Sequence, residues 1–163
     1  MKSSRAALEH PLNIVLLEPE IPANTGNIGR SCVVTGSILH LIHPLGFSTD
    51  DYYIRRSGMD YWALLDVRHY DNFRDFVTKN GHPQLFITSS KVAKSYADIS
   101  YPPGAFIVFG KESAGIPKDI LDQYPDTCIR IPMLPGTRCL NLSSSAAIVM
   151  YEAIRQQGFI GLE

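Results

Sequence analysis

The sequence is short of cysteine, of net charge and of long apolar runs, and each shortage removes a class of protein. Cys32, Cys128 and Cys139 are the three cysteines of 163 residues, and no C-x-x-C pair occurs. That count argues against a disulfide framework and fits a reducing cytosol. The five histidines offer no zinc spacing; His40 and His43 stand three apart with no Cys or carboxylate cluster, so no metal site is expected. Fifteen Lys and Arg against sixteen Asp and Glu leave a formal charge of -1, so no partner held by bulk positive charge is indicated. A local basic patch can still meet nucleic acid. No apolar run approaches the roughly 18 residues that span a bilayer, and no membrane partner is expected. Residues 1–11, MKSSRAALEHP, lack an apolar signal core and read as a loose leader ahead of one domain over 12–160. G-x-G-x-x-G and G-K-[ST] are both missing, which counts against dinucleotide binding and against nucleotide triphosphate hydrolysis.

What is present is apolar surface enough for a core: 45% of residues are hydrophobic and 10% aromatic. Strand-length apolar runs recur at 12–17, 38–43, 63–70, 84–88, 104–110 and 127–132, with helical patterns between them at 25–36, 71–80, 117–124 and 142–157. Asp71 or Asn72 can cap the second helix, Pro117 suits the first turn of the third, and Gly158 after Arg155 stops the fourth. Near-continuous apolar strands alternating with helices predict an α/β domain with a mostly parallel sheet covered on both faces. In such sheets ligands bind beyond the carboxyl ends of the strands.

Three segments in those positions are unusual. Glu18–Arg30 carries Pro19 and Pro22, a helix cap at Asn24 or Thr25, and Gly26 and Gly29, which permit close approach; Arg30 follows early in the helix. Phe109–Pro117 begins with Gly110, where a Cβ would obstruct a ligand. Its Glu112 can accept from backbone amides, hold a cationic ligand or cap the turn. Ile129–Ser145 keeps Ile131, Met133 and Leu134 apolar in a loop stiffened by Pro132 and Pro135, a surface suited to a flat ring such as adenine. Asn141 and Ser143 can cap the last helix, whose apolar stripe of Ala146, Met150 and Ile154 is wide enough to face both its own sheet and a second subunit.

N-T-G-N-I-x-R at 24–30, F-G-x-E-x-x-G-I-P at 109–117 and I-R-I-P-M-x-x-x-x-R-x-x-N-L-S at 129–143 resemble the three motifs of the SPOUT RNA methyltransferases. H-L-I-x-P-L-G-F at 40–47 and R-R-S-G-x-D-Y at 55–61 are similar to segments of the short YibK/TrmL branch. The resemblance implies a C-terminal trefoil knot, S-adenosylmethionine as cofactor and S-adenosylhomocysteine as product. It also implies a cytoplasmic homodimer and 2′-O-methylation of the wobble cytidine or modified uridine of leucine tRNAs, met at the anticodon stem-loop. It places Thr88, Gly110, Glu112, Ile131, Met133, Cys139 and Leu140 about the cofactor. Position 139 often holds Ser in relatives, so Cys139 would act mainly through its backbone amide. Asn24, Arg30, Asn141 and Ser143 become the catalytic set, with Glu112 beside them, and Arg55, Arg56, Arg138 and Tyr151 the RNA-facing residues.

No histidine lies in the motifs to act as base, and a guanidinium is effectively always charged, so Arg30 is expected to position phosphate and hydroxyl. Ribosomal RNA methylation and a catalytically silent RNA-binding module with Arg68 and Lys91 on its basic surface are the rival readings. A flavodoxin-like small-ligand protein ranks behind both.

Overall fold

The computed structural model describes residues 8–49 and 61–163; Arg55 and Arg56 lie outside them. The element order is β1 (Asn13–Leu17), α1 (Pro22–Thr35), β2 (Ile38–Ile42), a 3₁₀ turn (Trp62–Leu64), β3 (Val67–Tyr70), α2 (Phe73–Lys79), β4 (Leu85–Thr88), β5 (Phe106–Phe109), α3 (Lys118–Gln123), β6 (Cys128–Ile129) and α4 (Leu142–Gln156). The strands form one sheet in the order β3-β2-β1-β5-β4-β6, and every pairing is parallel. The predicted parallel sheet is therefore present.

Alternation along the strands divides the core into two layers. Ile14, Leu16, Leu39, Leu41, Ile107 and Phe109 face Ile28 and Cys32 of α1 and Ala146, Val149, Met150 and Ala153 of α4. Val15, Leu17, Ile42, Leu85, Ile87 and Val108 face Phe76 of α2 and Ile120 of α3. One buried polar chain crosses the second layer. Asn13 Nδ2 donates to the carbonyls of Pro11 and Gly104, which leaves its Oδ1 to accept from His40 Nε2 at 2.9 Å. His40 Nδ1 is then the acceptor for the Tyr70 hydroxyl at 2.8 Å.

Four of the boundaries that differ from the sequence reading do so for a clear local reason. α1 starts at Pro22, and Ile21 before it supplies no side-chain cap, so neither Asn24 nor Thr25 is the cap. The run 63–70 becomes strand only at Val67, because Trp62 turns in to pack on Gly29, where a Cβ would lie 3.0 Å from its ring. The run 127–132 is strand only at Cys128–Ile129: Arg130 leaves β4 to bridge Ser95, and Pro132 has no N–H to donate. Pro117 stands just before α3 with ψ 144 instead of inside its first turn. The expected caps hold at Asn72, whose side chain accepts from Asp75 N, and at Asn141, which accepts from Ser143 N. Gly158 follows α4 at φ 72, a left-handed stop.

β1 and β5 lie side by side at the centre, and the chain builds outward from them in opposite directions. Their carboxyl ends are where a doubly wound sheet opens a crevice.

Candidate functional site

Beyond the carboxyl ends of β4, β5 and β6 lies a cleft of about 810 Å³, within the range of small-molecule and cofactor sites. Its lining joins apolar Phe109, Ile116, Ile131, Met133 and Leu140 with polar residues from three stretches of chain, Ser89–Lys91, Lys111–Ser113 and the pair Asn24 and Asn141. Thr88, Gly110, Glu112, Ile131, Met133, Cys139 and Leu140 all line it. Apolar and polar side chains sharing one cleft of this size match a nucleoside that carries a charged tail.

Two of these residues work differently from the sequence reading. Thr88 Oγ1 donates to Val108 O at 3.0 Å, so its hydroxyl proton ties β4 to β5 and is not offered to the cleft. At Gly110 a Cβ would sit 2.3 Å from the carbonyl carbon of Gly115 and 2.5 Å from Ile116 N. The missing side chain makes room for the returning backbone of its own loop, not for a ligand. Gly29 likewise serves packing against Trp62.

Glu112, Asn24 and Asn141 of the lining belong to one hydrogen-bonded chain, which runs on to Ser143 just outside the lining. Glu112 accepts from Glu20 N at 2.8 Å, from Ile21 N at 3.2 Å and from Asn24 Nδ2 at 3.1 Å. It thereby satisfies amides at the entry to α1 that no local side chain caps. Asn24 Oδ1 accepts from Asn141 Nδ2 at 2.9 Å, and Asn141 Oδ1 accepts from Ser143 N at 2.9 Å and Ser143 Oγ at 2.6 Å. The direction of this chain is forced: a carboxylate at one end can only accept, and a backbone N–H at the other can only donate. Four residues from three distant segments are thus joined side by side.

The sequence reading missed the partner half of this joint. Glu20 accepts from Ser113 N and Ser113 Oγ, both at 2.8 Å, and these donors hold its carboxyl below the ordinary value. Lys111 pairs with Glu18 at 3.0 Å, which raises the lysine. The available signal was the E-P-E run itself, two carboxylates on a loop stiffened by proline opposite the K-E-S of the next motif.

The remaining expected residues stand apart from the cleft lining. Arg30 is exposed on α1 and makes no hydrogen bond or ion pair with a described residue. Its charge acts on Tyr61, whose phenol burial raises while Arg30 opposes the rise. Arg138 is exposed on the loop after β6 and Tyr151 is 45% exposed on α4. Arg68, named for the basic surface of the RNA-binding rival, is exposed and paired with Asp66 through Nε at 3.2 Å and Nη2 at 2.9 Å.

The family model described as SpoU rRNA Methylase matches residues 11–151. The chain belongs to that family. A tRNA (cytidine(34)-2′-O)-methyltransferase of Escherichia coli strain K12 is 45% identical over 151 residues, covering 92% of this chain and 96% of that one. A solved structure described as giving insights into the 2-OH methylation of C/U34 on tRNA superposes at TM-score 0.86 with 36% identity, covering 92% of this chain and 98% of that chain. An AdoMet-bound rRNA methyltransferase from Sinorhizobium meliloti shares the fold at TM-score 0.81 and 22% identity, over 91% of this chain and 57% of that chain. Within the SpoU family frame, the three joined segments are the three motifs read from the sequence.

Proposed function

We propose that this protein methylates the ribose 2′-OH of nucleotide 34 of tRNA with S-adenosylmethionine as donor, leucine isoacceptors being the substrates. The observation that carries this reading is the chain Glu112–Asn24–Asn141–Ser143, whose first three members line a cleft of cofactor size and whose Ser143 adjoins it through Asn141. The relatives whose names specify cytidine 34 of tRNA support the choice of substrate.

The cofactor supplies a methyl group on a positively charged sulfur. Ile131, Met133 and Leu140 would hold its adenine, while the backbone at Thr88, Gly110 and Cys139 and the carboxylate of Glu112 would border the rest. Transfer requires the 2′ oxygen in line with the methyl carbon, so positioning supplies most of the catalysis. Ser143 gives its own proton to Asn141 Oδ1, which leaves its lone pairs free to accept from a ribose hydroxyl. Arg30, with five donors and no partner among the described residues, would hold the flanking phosphate. Arg55, Arg56, Arg138 and Tyr151 would extend the RNA contact.

The same reading makes the protein a cytoplasmic homodimer with the C-terminal part of its sheet knotted. Val34 on α1 is 55% exposed and Ile160, in the turns after α4, is 75% exposed, apolar surface on and beside the two helices expected to meet a second copy. Three free thiols suit the cytoplasm, and no helix among the described residues is long and apolar enough to cross a membrane. Incubation with labelled cofactor and either total tRNA or ribosomal RNA, followed by mapping of the methylated nucleotide, tests the proposal. Label at the 2′ position of nucleotide 34 in leucine tRNA is expected; label confined to ribosomal RNA would overturn it.

A further inference from the structure

We infer that Lys91 is the residue that binds the carboxylate at the amino-acid end of the cofactor, and so selects for a ligand carrying that end. The inference rests on the cofactor reading of the cleft. Among the described residues, three charged side chains line the cleft: Lys91, Lys111 and Glu112. Lys111 is engaged by Glu18 at 3.0 Å, and Glu112 is engaged by two backbone amides and Asn24. The Lys91 ammonium has no partner among the described residues; only its backbone N–H is bonded, to Ser89 Oγ at 3.2 Å.

The loop that carries Lys91 is fixed at both ends. Ser89 N donates to Ile129 O at 2.9 Å, Arg130 N donates to Lys94 O at 2.8 Å, and Tyr96 N donates to Arg130 O at 2.8 Å. Between those anchors the chain makes a short arc closed by the Ser89 side chain, with Ser90 at its tip and Lys91 lining the cleft. A lysine on so short an arc is presented at a defined place in the cleft lining. A carboxylate entering the cleft leaves water and needs a charged donor, and among the described residues Lys91 is the cation in the lining that is not already neutralised. Ser89 and Ser90 add hydroxyls beside it.

The test is calorimetric titration of the wild type, Lys91→Met and Lys91→Arg with two ligands. One is S-adenosylhomocysteine; the other is 5′-methylthioadenosine, which keeps the adenosine and sulfur and lacks the amino-acid end. Lys91→Met is expected to weaken S-adenosylhomocysteine about tenfold, the scale of one charge-assisted hydrogen bond, and to leave methylthioadenosine unchanged. Lys91→Arg should recover most of the loss. Equal weakening of both ligands, or of neither, overturns the inference. Unchanged binding of both ligands with weaker tRNA binding and a salt slope reduced by about one would make Lys91 a phosphate contact instead, which also overturns it. A wild type that binds neither ligand would instead remove the cofactor reading on which the inference stands.

Discussion

Asn141 donates through Nδ2 to Asn24 Oδ1 at 2.9 Å across 117 positions of sequence, and this single amide–amide bond couples the start of α4 to the start of α1. Both side chains are oriented by what lies beyond them. Asn24 is 4% exposed and gives its own Nδ2 to Glu112, while Asn141 turns its oxygen to the N–H of Ser143.

Asn24→Asp tests that orientation. The substitution replaces a donor by a carboxylate 3.1 Å from Glu112 Oε1, so two carboxylates must share one proton. A carboxyl pKa raised in the folded state means that the folded protein binds the extra proton, and its stability falls as pH rises above the ordinary carboxyl range. The variant should therefore lose more of its melting temperature at pH 8 than at pH 5.5, with methylation largely abolished. Wild-type melting at pH 8 would show that Asn24 and Glu112 do not face each other. In a double-mutant cycle, Asn24→Ala and Asn141→Ala should couple by about 0.5–3 kcal/mol.

Gly110→Ala should be a folding defect before it is a binding defect. The added carbon meets backbone at 2.3 Å, which no rotamer change relieves, and the loop Gly110–Ile116 must open. Overpacking of this kind costs about 1–3 kcal/mol, and the cleft wall moves with the loop, so melting temperature and cofactor affinity should fall together. Gly136→Ala is the control. Its φ of +78 is unfavourable for Ala, but nothing lies within 4 Å, so only a backbone cost of about 1 kcal/mol is expected. Equal melting temperatures for the two variants would contradict the steric account.

His40 should make the protein acid-labile. Burial is the main reason its pKa falls to about 4, and Arg68 adds to the fall while Asp66 opposes it. The unfolded chain takes up a proton near pH 6.5 and the folded one only near pH 4, so stability drops as pH is lowered between those values. The loss approaches about 1.4 kcal/mol per pH unit and is on the order of 3 kcal/mol in total. Urea denaturation at pH 7.5 and pH 4.5 measures it. The ring resonances of His40 should not titrate above pH 5; a midpoint near 6.5 would contradict the buried Tyr70–His40–Asn13 chain.

The strands and long helices were legible because their signal is local: apolar runs of strand length and an apolar stripe at helical period. The pairing of β5 between β1 and β4 was not, because parallel partners are distant in sequence and no turn chemistry marks them. The cleft residues were found through motifs, yet their physical roles were not visible in one dimension. Gly110 reads as a ligand glycine until the return of Gly115 is seen, and of the three roles open to Glu112 it takes backbone amides, those of Glu20 and Ile21 just ahead of α1 and some ninety positions earlier. Glu20 was passed over because its partner, Ser113, belongs to a different motif.

Arg30 is the residue whose test separates RNA handling from cofactor handling. It follows Asn24 by six residues, about 9 Å along α1 and roughly 120° round it, and it does not line the cleft. Its guanidinium is unpaired among the described residues and stands near Tyr61, which donates to Gly26 O at 2.7 Å and braces the first turns of the helix. A cation placed this way can reach a phosphate beside the target ribose without touching the adenosine. Arg30→Ala should accordingly leave S-adenosylhomocysteine affinity near wild type while single-turnover methylation of an anticodon stem-loop falls by about two orders of magnitude, the scale for losing one transition-state donor. Arg30→Lys should restore part of the rate, because ammonium keeps the charge and loses the planar fork. Near-normal turnover in both variants would remove Arg30 from the reaction, and a large loss of cofactor affinity would place it in the cleft after all.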